Sequence, residues 1–238
     1  MNSLLQCFYH MKGLRAKFIE PSKFSPETQK VCYALSEVMK GLTYGDNTYY
    51  SPNNFKDNLG NINPLFSHKK GADVSDLYRT IVDSIINEIP YEYPEDEDED
   101  DDVDNTNQNQ YYLNAKKEVD ENNPLIQELN FYFETIYDCP KGIKCYAIQN
   151  DTSIMFELLK INKWANCKQH DLYKCFDYNF SKMLKSEFYC SKCECTHLNH
   201  SQDKIISLPK VLTLIFNRGK GKQFYDKIEF YEKINIKK

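Results

Sequence analysis

The chain has 238 residues, 41% of them hydrophobic, enough to bury one large domain or two small ones. No apolar run is long enough to cross a bilayer, and nothing at the start resembles a secretory signal, which excludes a membrane partner and argues for an intracellular protein, cytoplasmic or nuclear. The net charge is −5, but ten of the 35 acidic residues lie between Glu92 and Asp104; the other 25 face 30 Lys and Arg, with no basic stripe interleaved with aromatics that would mark a nucleic-acid surface.

Asn2 or Ser3 is placed to cap a first helix whose Leu4, Leu5, Phe8 and Met11 recur at helical spacing. Cys7 is expected in the core, because a free thiol packs as a small hydrophobe. Ser25-Pro26 predicts a second helix, with Val31, Leu35, Val38 and Leu42 as its apolar face and Gly41 or Gly45 at its end. Ser51-Pro52 repeats the start signal ahead of Phe55 and Leu59, and Gly60 to Phe66 reads as a loop. The clearest helix runs from Asp73 to Ile89. Val74, Leu77, Ile81, Ile85 and Ile89 form its apolar face, Asp73 is a candidate cap, and Pro90 stops it.

Residues 91–123 read as an acidic, disordered insertion between a helical part, 1–90, and a sheet-rich part, 124–238. The tract lacks the Gly and Glu spacing of a calcium loop. Beyond it, Phe131 to Cys139 reads as an aromatic strand, Ser153 to Ile161 as another, and Asp171 to Leu184 as a helix. Val211 to Phe216 reads as a buried central strand and Lys227 to Ile236 as the last strand.

Nine cysteines without an export signal read as thiols or metal ligands in a reducing compartment. Cys190-x2-Cys193 has the spacing at which two thiolates on one turn reach a single Zn²⁺. Zinc takes four ligands, and Cys139 with Cys145 is the partner pair. Their C-x5-C spacing is wider than a usual knuckle, and His197 and His200 are substitutes for Cys145. One structural zinc and no catalytic cofactor is the expectation; four reduced, packed thiols that bind nothing is the alternative.

Several stretches resemble, in order, the signatures of the ubiquitin-specific proteases, papain-like thiol hydrolases. Met1-Asn-Ser-Leu-Leu-Gln6 resembles the end of Gly-Asn-Thr-Cys-Tyr-Met-Asn-Ser-Leu-Leu-Gln. Asp73-Val-Ser-Asp-Leu77 resembles Asp-Ala-x-Glu-Phe, with Ala72 in place of the Gln that precedes it in the family. Leu208-Pro-Lys-Val-Leu212 and Asn217-Arg218 resemble Leu-Pro-x-Val-Leu and the later Lys-Arg of the same signature.

The resemblance implies an α+β fold with a helical thumb, an incomplete antiparallel β palm and a β finger that carries the zinc ribbon. It implies ubiquitin or ubiquitinated proteins as partners, with Asp73 receiving the ubiquitin tail. The family reaction is thiol-dependent hydrolysis of the isopeptide bond at the ubiquitin C-terminus. The family's nucleophilic Cys would precede Met1 and its His would follow Lys238, so the 238 residues alone are expected to be inactive: a piece of a larger protease or, alternatively, a binding-only relative. A zinc-ribbon interaction module with no tie to ubiquitin is the rival from another class.

Overall fold

The computed structural model describes residues 1–45, 50–67, 73–89, 123–139, 144–165, 170–181, 184–190, 194–219 and 227–236. They form two units, Met1–Glu128 and Leu129–Lys238. The acidic tract, Cys193 and Cys167 lie outside the described residues.

In the first unit, α1 (Asn2–His10) buries Leu5 and Phe8, and α2 (Lys12–Phe18) buries Leu14 and Phe18. Met11 separates them in an extended conformation, and its N–H donates to Phe8 O. Cys7 is exposed, contrary to the expectation of a core thiol. The reason is angular: Cys7 follows Leu5 by two residues, about 200° around the helix and away from the buried stripe.

Helix α3 (Lys30–Tyr44) buries Val31, Cys32, Ala34, Leu35, Val38 and Met39. It starts four residues later than a Ser25 cap predicts. Ser25 instead closes a turn: its Oγ accepts from Thr28 N, and its own N–H donates to Gln29 Oε1. The first turn of α3 is capped from a distance, by Glu88 at the end of α5 (Val74–Glu88). Glu88 Oε1 accepts from Val31 N at 2.9 Å and Oε2 from Cys32 N at 2.8 Å, while Gln29 Nε2 donates to Glu88 O at 3.0 Å. One carboxylate thus satisfies two of the four amides that a helix start leaves open.

Helix α4 (Asn53–Ile62) and a 3-10 turn (Pro64–Phe66) replace much of the predicted 60–66 loop. Gly60, inside α4, lies against Ser67, where a Cβ would stand 3.0 Å from the Ser67 side chain. In α5, Leu77, Tyr78, Ile81, Val82 and Ile85 are buried. Val74, expected on that face, is 63% exposed. It occupies the first helical position, and burial begins a turn later at Leu77. Helix α6 (Pro124–Leu129) is capped by Asn123, whose Oδ1 accepts from Leu125 N and Ile126 N. Asn123 Nδ2 also donates to Ile89 O, which pins the two ends of the 90–122 segment together.

The second unit is built on an antiparallel sheet ordered β2 (Lys144–Asp151), β1 (Phe131–Asp138), β6 (Cys195–Ser207), β5 (Leu184–Cys190). Two short parallel pairs accompany it: β3 (Ile154–Glu157) with β7 (Leu214–Asn217), and β4 (His170–Asp171) with β8 (Ile228–Glu229). Phe131, Ile154, Phe156, Leu158, Ile161, Leu172, Phe176 and Ile205 form the core.

Four strand and helix boundaries differ from expectation. The strand predicted to Ile161 ends at Glu157 and becomes α7 (Leu158–Ala165), because Leu158 and Ile161 bury together at helical spacing. The helix predicted to Leu184 is α8 (Leu172–Phe176) followed by a π-helical turn (Asp177–Ser181), and Leu184 already belongs to β5. Within the predicted central strand only Leu214 to Phe216 pair, and these residues are half-buried with one neighbouring strand, β3, among the described residues. The predicted last strand pairs only at Ile228–Glu229.

Candidate functional site

Asp73 forms the N-cap of α5. Its Oδ1 accepts from Ser75 N at 2.7 Å and from Ser75 Oγ at 2.6 Å. The Ser75 side-chain hydrogen bond, and then the backbone one, holds the Asp73 carboxyl below the usual aspartate range. The group is therefore an exposed, fixed negative charge at the positive end of a helix, already oriented by the turn that follows it. Such a carboxylate can accept amide hydrogen bonds or pair with a cationic side chain. Also in this unit, α1, α3 and residues 50–52 enclose a small cavity of ≈270 Å³ lined by Asn2, Leu5, Gln6, Val38, Leu42 and Tyr50. It lies beside the first turn of α1.

The first unit contains two thiols, Cys7 and Cys32. Cys7 sits well inside α1, beyond the first turn where a helix dipole acts. Cys32 is fully buried; burial, then the charge of Glu88, pushes its thiol far above the ordinary range.

Cys139, Cys145, Cys190 and Cys195 stand at one end of the sheet, whereas Cys175 is buried in α8. Cys139 directly follows β1, and Cys145 is the second residue of β2, opposite Tyr137. Cys190 ends β5 and stands across from Cys195, the first residue of β6. Strands β1 and β6 run antiparallel, with Tyr137 opposite Ser201, so the β1–β2 and β5–β6 connections point the same way. The β5–β6 ribbon reaches further, since β6 extends six residues beyond Ser201. Counted along a straight sheet, Cys139 and Cys190 would stand about four residues apart, ~13 Å at a strand's rise. Sharing one ion at ~2.3 Å Zn–S distances requires the ribbon to curl back.

Cys139 and Cys190 are both buried, whereas Cys195 is exposed. The ribbon turn ends at Glu194 in the left-handed region (φ 54). Cys193 and the side chains of Cys145, His197 and His200 fall outside what the structure describes, and among the described residues no three His, Cys, Asp or Glu side chains converge as a metal site. Cys195 is the thiol that counting C-x2-C passed over. The signal was Cys193-Glu-Cys195, whose last residue the hairpin register sets opposite Cys190.

No described helix is long and apolar enough to cross a membrane. Two solved structures share the fold. One is the SAGA Ubp8/Sgf11/Sus1/Sgf73 DUB module bound to ubiquitin aldehyde, with a TM-score of 0.59 at 18% identity, covering 92% of this chain and 44% of that one. The other is the same module, carrying a substitution in Ubp8, bound to monoubiquitin, with a TM-score of 0.58 at 18% identity, covering 92% and 45%. The chain therefore spans a little under half the length of the structures it matches. Its sequence matches the family described as ubiquitin carboxyl-terminal hydrolase across residues 1–238, which sets aside the unrelated zinc-ribbon module. The chain belongs to the ubiquitin carboxyl-terminal hydrolase family, with the α+β fold of its ubiquitin-specific proteases.

Proposed function

We propose that this chain is part of a deubiquitinase catalytic domain that binds ubiquitin, and that by itself it does not cleave ubiquitin conjugates. The family match over the whole chain carries the first half of this proposal. Two structures of similar fold are complexes with ubiquitin or ubiquitin aldehyde. The second half is supported by the thiols: Cys7 lies beyond the first turn of its helix, and Cys32 is buried with its thiol shifted toward the neutral form. The acceptor for the ubiquitin tail is Asp73, through the carboxylate oxygen that Ser75 does not occupy. The protein acts inside the cell, in cytoplasm or nucleus.

The test is titration of purified chain with monoubiquitin, followed by incubation with a ubiquitin isopeptide conjugate. Saturable binding without cleavage is expected. Cleavage by the chain alone overturns the inactivity; no binding at high micromolar ubiquitin overturns the ubiquitin assignment. Asp73→Ala should weaken intact ubiquitin several-fold and leave ubiquitin lacking its last residues unaffected. A structural effect of losing the cap would weaken both alike.

The finger cysteines Cys139, Cys145, Cys190 and Cys193 would hold one structural zinc, fixing the two hairpin ends to each other. Burial of Cys139 and Cys190 at the same end of the sheet supports this. Metal analysis of the folded protein should return about one zinc per chain, released when Cys190→Ser is introduced. Metal-free folded protein would remove the assignment.

A further inference from the structure

The largest cavity among those described lies wholly within the Leu129–Lys238 unit and has no part in the ubiquitin assignment. Its volume is ≈550 Å³, inside the ~300–1,000 Å³ range of ligand sites. Strands β1 and β6 form one side, with Ile136 and Asp203. Helix α8 and the π-helical turn form another, with Tyr173, Phe176, Asp177 and Phe180. The third side is the segment at Asn235, held in place by its N–H donating to Tyr173 Oη at 3.2 Å. A second cavity of ≈300 Å³ adjoins the first, sharing Phe180 and Asp203.

Asp203 stands where the two spaces meet. It is half-buried, and Thr135 Oγ1 donates to its Oδ1 at 2.7 Å across the β1–β6 pair. One neutral donor is little for a carboxylate removed from water, and burial pushes its carboxyl up. A cationic donor would reverse that shift. The surrounding walls are aromatic: the Phe176 and Phe180 rings stack with centroids 6.1 Å apart, 24° from parallel. Asp177 adds a second carboxylate at the exposed side. Among the described residues Lys204 is the cation lining this cavity, exposed at the rim and in register with Glu134 on β1, and Lys160 lines the adjoining one.

We propose that this cavity receives an arginine side chain presented by an extended segment of a partner protein. A guanidinium matches all three features. It donates in a plane to a carboxylate, it stacks on aromatic rings, and it is weakly enough hydrated to enter a half-buried site, which an ammonium resists. The adjoining second cavity gives room for a neighbouring residue of the same segment, which favours a peptide over a lone small molecule.

The experiment is a titration of the ¹⁵N-labelled chain with the peptide acetyl-Gly-Arg-Gly-amide, read by amide shifts, against the same peptide with citrulline, the neutral isostere. Saturable shifts clustered at Thr135, Phe180 and Asp203 are expected, with at least tenfold weaker binding of the citrulline peptide. Asp203→Asn should remove the preference for arginine. Phe180→Leu, which keeps the volume apolar, should weaken binding several-fold; it serves if Asp203→Asn fails to give a dispersed spectrum. Equal binding of the two peptides, shifts that map elsewhere (the Glu92–Asp104 tract included), or no saturable shift would each overturn the proposal.

Discussion

The two units bury their apolar residues to different degrees. In the helical unit a large set of apolar side chains is sealed: Phe8, Leu14, Phe18, Val31, Leu35, Phe55, Leu59, Ile81 and Ile85 are inaccessible to solvent. In the sheet unit Phe156 and Ile161 are sealed as well, but Leu212, Leu214, Phe216, Ile228, Ile234 and Ile236 are only half-covered, and Phe230 is 64% exposed. The contrast follows from how each architecture closes. Amphipathic helices pack their stripes against one another and finish a core locally. A parallel pair such as β3–β7 needs cover on both faces, which the described residues supply only in part.

This difference can be broken by experiment, beginning with the largest effects. Phe8→Ala and Phe156→Ala empty sealed positions, one in each unit, and each should cost ~3–5 kcal/mol in urea unfolding. Phe216→Ala, at a half-buried position, should cost less than half as much; an equal cost would show that β7 is covered in solution. Glu88→Ala removes the carboxylate that accepts from Val31 N and Cys32 N, and should destabilise the helical unit by about 1–3 kcal/mol. Glu88→Gln, which retains one acceptor oxygen, should cost less.

Asp73→Ala deletes a cap and should cost about 1 kcal/mol at neutral pH. Its pH dependence has a definite sign. The folded-state pKa is lowered, so the carboxylate stabilises the fold above its unfolded value near 3.8, and that contribution is lost as pH falls through the folded value. Urea melts of wild type and Asp73→Ala should therefore differ by a constant amount from pH 5 to 8 and converge below pH ~4. A gap that widens in acid would contradict the Ser75 hydrogen bonds as its source.

The smallest effect should come from shortening the 90–122 segment. Its ends are already joined through Asn123 Nδ2 and Ile89 O. If the segment is disordered, as its composition predicts, a linker a quarter as long should stabilise the helical unit by at most about 1 kcal/mol, since each halving of a flexible loop recovers ~0.6 kcal/mol of closure entropy. A net loss of stability would show that the acidic tract packs on something.

One local feature at Asp73 was legible in the sequence. Asp73 was named as a cap and is one, because Asx capping is a local event decided within three residues. The cap of α3 was not legible: Ser25-Pro26 carries the usual signal, but the acceptor that serves the helix is Glu88, 57 residues from Val31. Nor was Cys7 on the outside, since residue type predicts average burial and only the phase of α1 decides which side faces inward. The cavity at Asp203 had no sequence signal at all. It exists because Thr135, Asp203 and Phe180, far apart in the chain, meet where β1, β6 and the π-helical turn come together.

The sequence by itself determined the family, the amphipathic helices of the first unit and the Asp73 cap of α5, because ordered motifs, periodicity and turn chemistry are written over short spans; the start signals at Asn2-Ser3, Ser25 and Ser51 do not become side-chain caps. Only the tertiary structure decided which carboxylate caps α3, how much of the apolar run at Leu214–Phe216 is covered, and that Cys139 and Cys190 lie at the same end of one sheet. Those outcomes depend on strand register and on side chains arriving from distant segments, and no short stretch of sequence encodes either.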